Sequence, residues 1–256
     1  MLKALENAAP AGTRSFCAGP ARSGAALVLY GLGGQDRYGF GLQHAANGAP
    51  LIAWDVGYWS RKGDDSTRKL RVTINGLHPP QYIMRGPRPS SSRWLASGLS
   101  VQQRGDPAGP IILVGNGPKS NAIGARGWAA TKSLEIRDAF PGRRVIYRPK
   151  PERPNEPGVI CDAVSTVQPI DALLSGASLV VCRHSNVAVD ACRLGVPVVC
   201  EDGAAAAIYP SNLSDAQSQP PPELRIEFLH RLAWWQWSPI ESAEFWKWIQ
   251  GVLREI

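Results

Sequence analysis

Several features that would fix the class of this chain at once are missing from it. Its five cysteines, Cys17, Cys161, Cys182, Cys192 and Cys200, form no Cys-x-x-Cys pair, so they read as small buried hydrophobes in a reducing compartment. No apolar run approaches the roughly 20 residues of a membrane span, and the opening MLKALENAAPAGTRSF lacks the uninterrupted apolar core of a secretory leader. A cytoplasmic protein with no membrane span is therefore expected. The turn Gly31-Leu32-Gly33-Gly34-Gln35-Asp36 ends in Asp36 where a dinucleotide fingerprint needs its third glycine, which argues against an NAD-dependent oxidoreductase. What is present is 256 residues, 44% of them hydrophobic, enough for one large or two small domains. Lys and Arg number 28 against 21 Asp and Glu, and the net charge of +7 favours a polyanionic or phosphorylated partner.

Patterned segments alternate as βαβ units do. The spacing predicts strands over residues 25–30, 51–56 and 70–75, with helical spacing at 40–47. Residues 102–110, QQRGDPAGP, mix charge, Gly and Pro and read as a linker. Strands follow at 111–114 and 144–148, with helical spacing over 127–140 and a short helix at 171–174. The tail holds five of the nine tryptophans. In it, Ser238-Pro239-Ile240-Glu241 combines an N-cap, a first-turn Pro and a capping-box Glu, and the helix beyond places Phe245, Trp248, Ile249 and Val252 on one face. These aromatics read as packing groups, with base stacking as the alternative.

The richest stretch is 179–202, LVVCRHSNVAVDACRLGVPVVCED. An apolar strand breaks at Arg183-His184-Ser185-Asn186; Val187, Ala191 and Leu194 then recur at helical spacing until Gly195, and a second strand follows at 196–200. In an open parallel sheet such a loop faces the ligand crevice, and the helix amino end beside it offers unpaired N–H groups and a partial positive charge. Two more polar loops follow strands of the same half: Gly115-Asn116-Gly117-Pro118-Lys119-Ser120 and Arg148-Pro149-Lys150-Pro151. Parallel strands would gather all three at one sheet edge, where small residues admit backbone amides to phosphate oxygens and Lys119, Arg148 and Lys150 supply charge. Asp190, one turn beyond Asn186, is placed to accept hydrogen bonds from ribose hydroxyls.

HSNVAVDACRLGVPVV resembles the nucleotide-binding segment of GT-B glycosyltransferases. VIYRPKP is similar to the Tyr-Lys/Arg-Pro-His-Pro segment of capsule polysaccharide glycosyltransferases, with Lys150 where those have His, and WDVGYWSR resembles their Glu-Asp-Gly-Phe segment. The tail WWQWSPIESAEFWKWI resembles small phage-encoded glycosyltransferase-like proteins. The resemblance implies an α/β fold of two Rossmann-like domains of GT-B type: 1–106 on the acceptor side, 107–222 holding a nucleotide sugar, and helices in 223–256 packing across both, the Trp-rich one crossing back to the first domain. It implies donor contacts from Gly115, Asn116, Gly117, Lys119, Arg148, Lys150, His184, Ser185, Asn186 and Asp190. It further implies no metal requirement, and no cofactor beyond the nucleotide-sugar co-substrate. The base that deprotonates the acceptor is expected in the first domain. Asp55, which closes a strand beside Tyr58 and Trp59, is the first candidate, followed by His78 and Asp36; Gly33, Gly34, Tyr58 and Trp59 are expected to line the acceptor side.

The expected activity is transfer of a sugar from a nucleotide sugar to a hydroxyl. The basic balance and phage-like tail favour hydroxymethylated pyrimidines in DNA, exposed by base flipping, in the host cytoplasm if the chain is phage-encoded. A surface or capsule polysaccharide is the alternative acceptor. A non-catalytic module of the same fold that binds a nucleotide or nucleic acid is the alternative from another class. No residue pattern specifies an oligomeric state.

Overall fold

Short apolar runs bounded by Gly-, Pro- and Asp-containing turns become short buried strands. The computed structural model describes residues 2–11, 26–31, 35–60, 64–76, 80–117, 120, 124–150 and 156–255. In chain order the elements are α1 (Leu2–Asn7), β1 (Leu27–Tyr30), α2 (Gln35–Ala46), β2 (Leu51–Val56), β3 (Leu70–Ile74), α3 (Ser92–Leu95), β4 (Ile111–Val114), α4 (Trp128–Ala139), β5 (Val145–Arg148), β6 (Ala163–Val164), α5 (Ile170–Leu174), β7 (Leu179–Cys182), α6 (Val187–Leu194), β8 (Val198–Cys200), α7 (Pro222–Leu232), β9 (Gln236–Trp237) and α8 (Ser242–Arg254). They divide into two units, one of Met1–Pro79, Arg85–Ser97 and Arg231–Ile256, the other of Pro80–Met84 and Gly98–His230.

The first unit holds a four-stranded sheet in the order β1-β2-β3-β9. Strands β1 and β2 are parallel, as a βαβ unit requires, but β3 runs antiparallel to β2 and β9 antiparallel to β3. The expected Rossmann-like pattern is thus realised only through β1, α2 and β2. The connection from β2 to β3 has no crossover helix among the described residues, and without one the chain can return only antiparallel.

The tail supplies much of this unit's core. Trp54 is fully buried and meets Phe245 edge-on at 4.5 Å. Trp237 packs 6.0 Å from Phe245 and 5.5 Å from Trp248, and Trp235 meets Trp248 at 5.2 Å. These offset and edge geometries are the ones aromatic quadrupoles favour. The capping box is formed: Glu241 accepts from the Ser238 N–H at 2.7 Å and its hydroxyl at 2.6 Å. A 3-10 turn, Pro239–Glu241, comes before α8, which buries Phe245 and Ile249.

The second unit is built on a fully parallel sheet in the order β6-β5-β4-β7-β8. Its strands are near-continuous Val, Ile and Leu, as sheets covered on both faces are. Ala129, Ser133 and Ile136 are the buried residues of α4, while Ala188, Val189, Ala191, Cys192 and Leu194 are those of α6. Gly195 closes α6 with φ of 78°, a left-handed value that glycine adopts without Cβ strain. Residues 102–110 do not hang free as a linker. The N–H groups of Gln102 and Arg104 donate to the Arg193 and Leu194 carbonyls at 2.7 and 2.6 Å, and that of Asp106 to Ala177 at 3.1 Å, which satisfies carbonyls at the end of α6. Cys182, Cys192 and Cys200 are buried free thiols and Cys161 is a half-buried one. No helix among the described residues is long and apolar enough to cross a membrane.

Candidate functional site

Because β5, β4, β7 and β8 are parallel neighbours, the loops leaving their carboxyl ends emerge at one edge in that order. Arg148 is the last residue of β5 and is only 3% exposed. Its Nη1 donates to the Ser165 carbonyl at 3.1 Å, and no carboxylate meets it among the described residues. Burial pulls its pKa below the ordinary arginine value. A buried guanidinium without a counter-charge is costly, and an anion held bidentately removes that cost.

On the neighbouring loop, Gly115 and Gly117 allow side chains to lie close over the backbone. A Cβ on Gly115 would stand 2.3 Å from the Tyr147 hydroxyl oxygen, and one on Gly117 would stand 2.9 Å from Lys150 Cδ and 3.0 Å from its Nζ. Lys150 is thereby placed beside the β4 loop. Asn116 is half-buried, and its Nδ2 is buried with no hydrogen-bond partner among the described residues. Lys119 lies outside the described residues.

The loop after β7 departs from expectation in one respect. The N–H groups at the start of α6 are already engaged: Ser185 Oγ accepts from Val187 at 3.2 Å, the Ser185 carbonyl accepts from Ala188 at 3.1 Å, and the Asn186 carbonyl accepts from Val189 and Asp190 at 3.0 and 3.2 Å. Ser185 Oγ thus takes up one of the amides that a bare helix start would offer, and Arg148 and Lys150 of the β5 loop add positive charge at this edge. Asp190 lies in the first turn of α6 and is half-buried.

His184 is the hub of a chain of hydrogen bonds. Its Nδ1 is 3.0 Å from Asp202 Oδ1 and its Nε2 is 2.5 Å from Ser120 Oγ. The other Asp202 oxygen accepts from Arg183 Nε at 3.2 Å. Burial pushes the Asp202 carboxyl up, but His184 and Arg183 outweigh that and hold it below the usual range. Neither Ser120 nor Asp202 stands out in the sequence. The missing signal is register: Cys182 pairs with Cys200, so His184 and Asp202, two residues beyond each, leave adjacent strands side by side.

In the first unit, Asp55 closes β2 with Oδ2 3.1 Å from Arg71 Nη2 and Oδ1 accepting from the Val56 N–H at 2.8 Å. Tyr58 and Trp59 are buried. Trp59 meets Trp94 edge-on at 5.3 Å, and the Tyr58 N–H donates to Gln236 Oε1 at 3.0 Å. Burial pushes the Tyr58 phenol up to about 12, with Arg71 lowering it and Asp55 raising it less strongly. Both rings are therefore enclosed rather than presented for stacking, because the chain after β2 tucks under Gln236 of β9. Gly33, Gly34 and His78 lie outside the described residues; Asp36 is in α2 and its side chain lies outside them as well.

No protein-family model and no curated protein sequence matches the chain. By fold it is similar to a solved structure of Thermosulfurimonas dismutans KpsC, a beta Kdo 2,7 transferase, with 14% identity, coverage of 88% of this chain and 85% of that chain, and a TM-score of 0.51. A structure of Thermosulfurimonas dismutans KpsC described as a beta Kdo 2,4 transferase matches 82% of this chain and 79% of that chain, with 11% identity and a TM-score of 0.46. At 14% identity the first likeness is one of fold: the chain shares its mixed α/β architecture with that transferase.

Proposed function

We propose that the chain is a glycosyltransferase that moves a sugar from a nucleotide-activated donor to a hydroxyl of a surface or capsule polysaccharide. The observation that carries this reading is Arg148, a desolvated cation without a carboxylate partner among the described residues, at the carboxyl edge of a parallel sheet. Lys150 lies over Gly117 on the neighbouring β4 loop, next to Asn116, whose amide Nδ2 has no hydrogen-bond partner among the described residues. Preorganised donors aimed at a departing phosphate stabilise the charge that develops as the sugar–phosphate bond breaks. Asp190, in the first turn of α6, is the proposed ribose acceptor. Asp55 is the proposed base for the acceptor hydroxyl.

The fold likeness to a Kdo transferase and the Arg148-Pro149-Lys150-Pro151 segment both support a polysaccharide acceptor. The comparisons lend no support to hydroxymethylated DNA, and the tail tryptophans pack on one another, with Trp235 and Trp237 buried and Trp234, Trp246 and Trp248 half-buried. The test is incubation with a panel of nucleotide sugars, nucleotide-activated Kdo among them, together with capsule oligosaccharides and hydroxymethylated DNA, followed by mass spectrometry. Sugar gained by the oligosaccharide is expected. Sugar gained by DNA alone, or neither transfer nor donor hydrolysis with any pair, overturns the reading.

A further inference from the structure

The loops of β4, β7 and β8 bring together three side chains that the glycosyl-transfer reading leaves without a joint role. Ser120 follows β4, His184 follows β7 and Asp202 follows β8, and the sheet order places these strands side by side. The hydrogen bonds run in one line: Asp202 Oδ1 to His184 Nδ1 at 3.0 Å, then His184 Nε2 to Ser120 Oγ at 2.5 Å. In the tautomer whose Nδ1–H donates to the carboxylate, Nε2 turns its lone pair to the serine hydroxyl. The frame is rigid on its acidic side. Asp202 is also held by Arg183 through its second oxygen, its N–H donates to the Arg183 carbonyl at 2.9 Å, and a Cβ on Gly203 would stand 2.9 Å from His184 Cα. His184 is 14% exposed at its side chain, and Ser120 is half-buried.

We propose that Ser120, His184 and Asp202 form a nucleophile, base and orienting carboxylate that give this chain a carboxylic-ester hydrolase activity, with Asn116 Nδ2, which has no hydrogen-bond partner among the described residues, as the oxyanion donor. The arrangement satisfies the geometry by which such triads are recognised, whatever the fold or chain order. As Ser120 Oγ bonds to the ester carbonyl carbon, His184 Nε2 takes the hydroxyl proton, and the carbonyl oxygen gains the charge that an amide N–H can stabilise. The carbon–oxygen bond to the alcohol breaks, and the imidazolium returns its proton to the departing alkoxide. Water, deprotonated by His184, then attacks the acyl-serine, releasing the acid and restoring Ser120. Asp202 acts as a positioning residue for His184.

The experiment uses the full chain, a fluorophosphonate probe and p-nitrophenyl acetate. One phosphonyl adduct on Ser120 is expected by peptide mass spectrometry, together with ester turnover. Ser120→Ala, folded by circular dichroism, should lose both. Asp202→Asn should lower kcat by at least about a hundredfold while KM stays within about twofold, because the imidazole is held in the wrong tautomer. An unlabelled wild type, or labelling unchanged in Ser120→Ala, overturns the proposal. Failure here is distinguishable from failure of the glycosyl-transfer reading, since phosphonylation requires no nucleotide and no sugar acceptor.

Discussion

Asp55 and Arg71 face each other across the antiparallel β2–β3 pair, in register and 3.1 Å apart, with their side chains 22% and 10% exposed. The carboxylate proposed as the acceptor base therefore also neutralises a nearly buried guanidinium. Asp55→Asn removes the carboxylate charge that faces that guanidinium and should cost about 2–3 kcal/mol in urea unfolding. In the protein that remains folded, nucleotide affinity should be unchanged while sugar transfer stops. Full transfer activity in the variant would remove Asp55 from the mechanism.

Arg148→Met exchanges a desolvated cation for an apolar side chain of similar length. Folding stability should stay level or rise, because no ion pair with a described residue is broken. Nucleotide affinity should fall by about 10–100-fold, the value of one or two charge-assisted hydrogen bonds. Calorimetry on both proteins reads the difference, and equal affinities would exclude Arg148 from the donor site.

Glu241 sets an acid limit on stability. Burial raises its carboxyl, but Lys69, Ser238 and Arg93 outweigh this and hold it at about 2, against an ordinary 4.5. The Lys69 ammonium is 2.5 Å from the carboxylate and Arg93 is 3.0 Å away. With the folded-state pKa below the unfolded one, the stabilisation is full above about pH 4.5 and is lost as the pH falls through about 2. Glu241→Gln should cost about 2 kcal/mol at about pH 7 and should flatten the acid limb of a stability–pH curve. An identical acid limb in variant and wild type would contradict this.

Two glycines should respond in opposite directions. A Cβ at Gly203 would lie 2.7 Å from the buried Cys200 Sγ and 2.9 Å from His184 Cα, so Gly203→Ala should destabilise by about 1–3 kcal/mol. Gly251 lies inside α8 with nothing within 4 Å of such an atom, and Gly251→Ala should stabilise by about 0.5–1 kcal/mol through helix propensity. Thermal denaturation orders the pair; the reverse order would contradict the packing described.

Signals written within a few residues were legible. In the second unit the strands at 111–114 and 179–182 and the Gly195 stop, and in the first unit the Ser238–Glu241 capping box, form where the pattern predicts. The antiparallel return of β3 was not legible, since it depends on the connection after Val56 having no crossover helix among its described residues. The burial of Tyr58 and Trp59 depends on Gln236, 178 residues from Tyr58 along the chain. Arg148 read equally well as a solvated surface residue, and its desolvation became visible only once its strand lay between β4 and β6. Ser120, His184 and Asp202 come from three separate loops, so only the strand order discloses their alignment.

Isothermal titration of the folded full chain with nucleoside mono- and diphosphates tests the donor site most directly. Saturable binding of at least one nucleotide is expected, weakening as salt screens Arg148 and Lys150. No binding of any nucleotide by the folded protein would contradict a nucleotide-sugar site at the carboxyl edge of the parallel sheet.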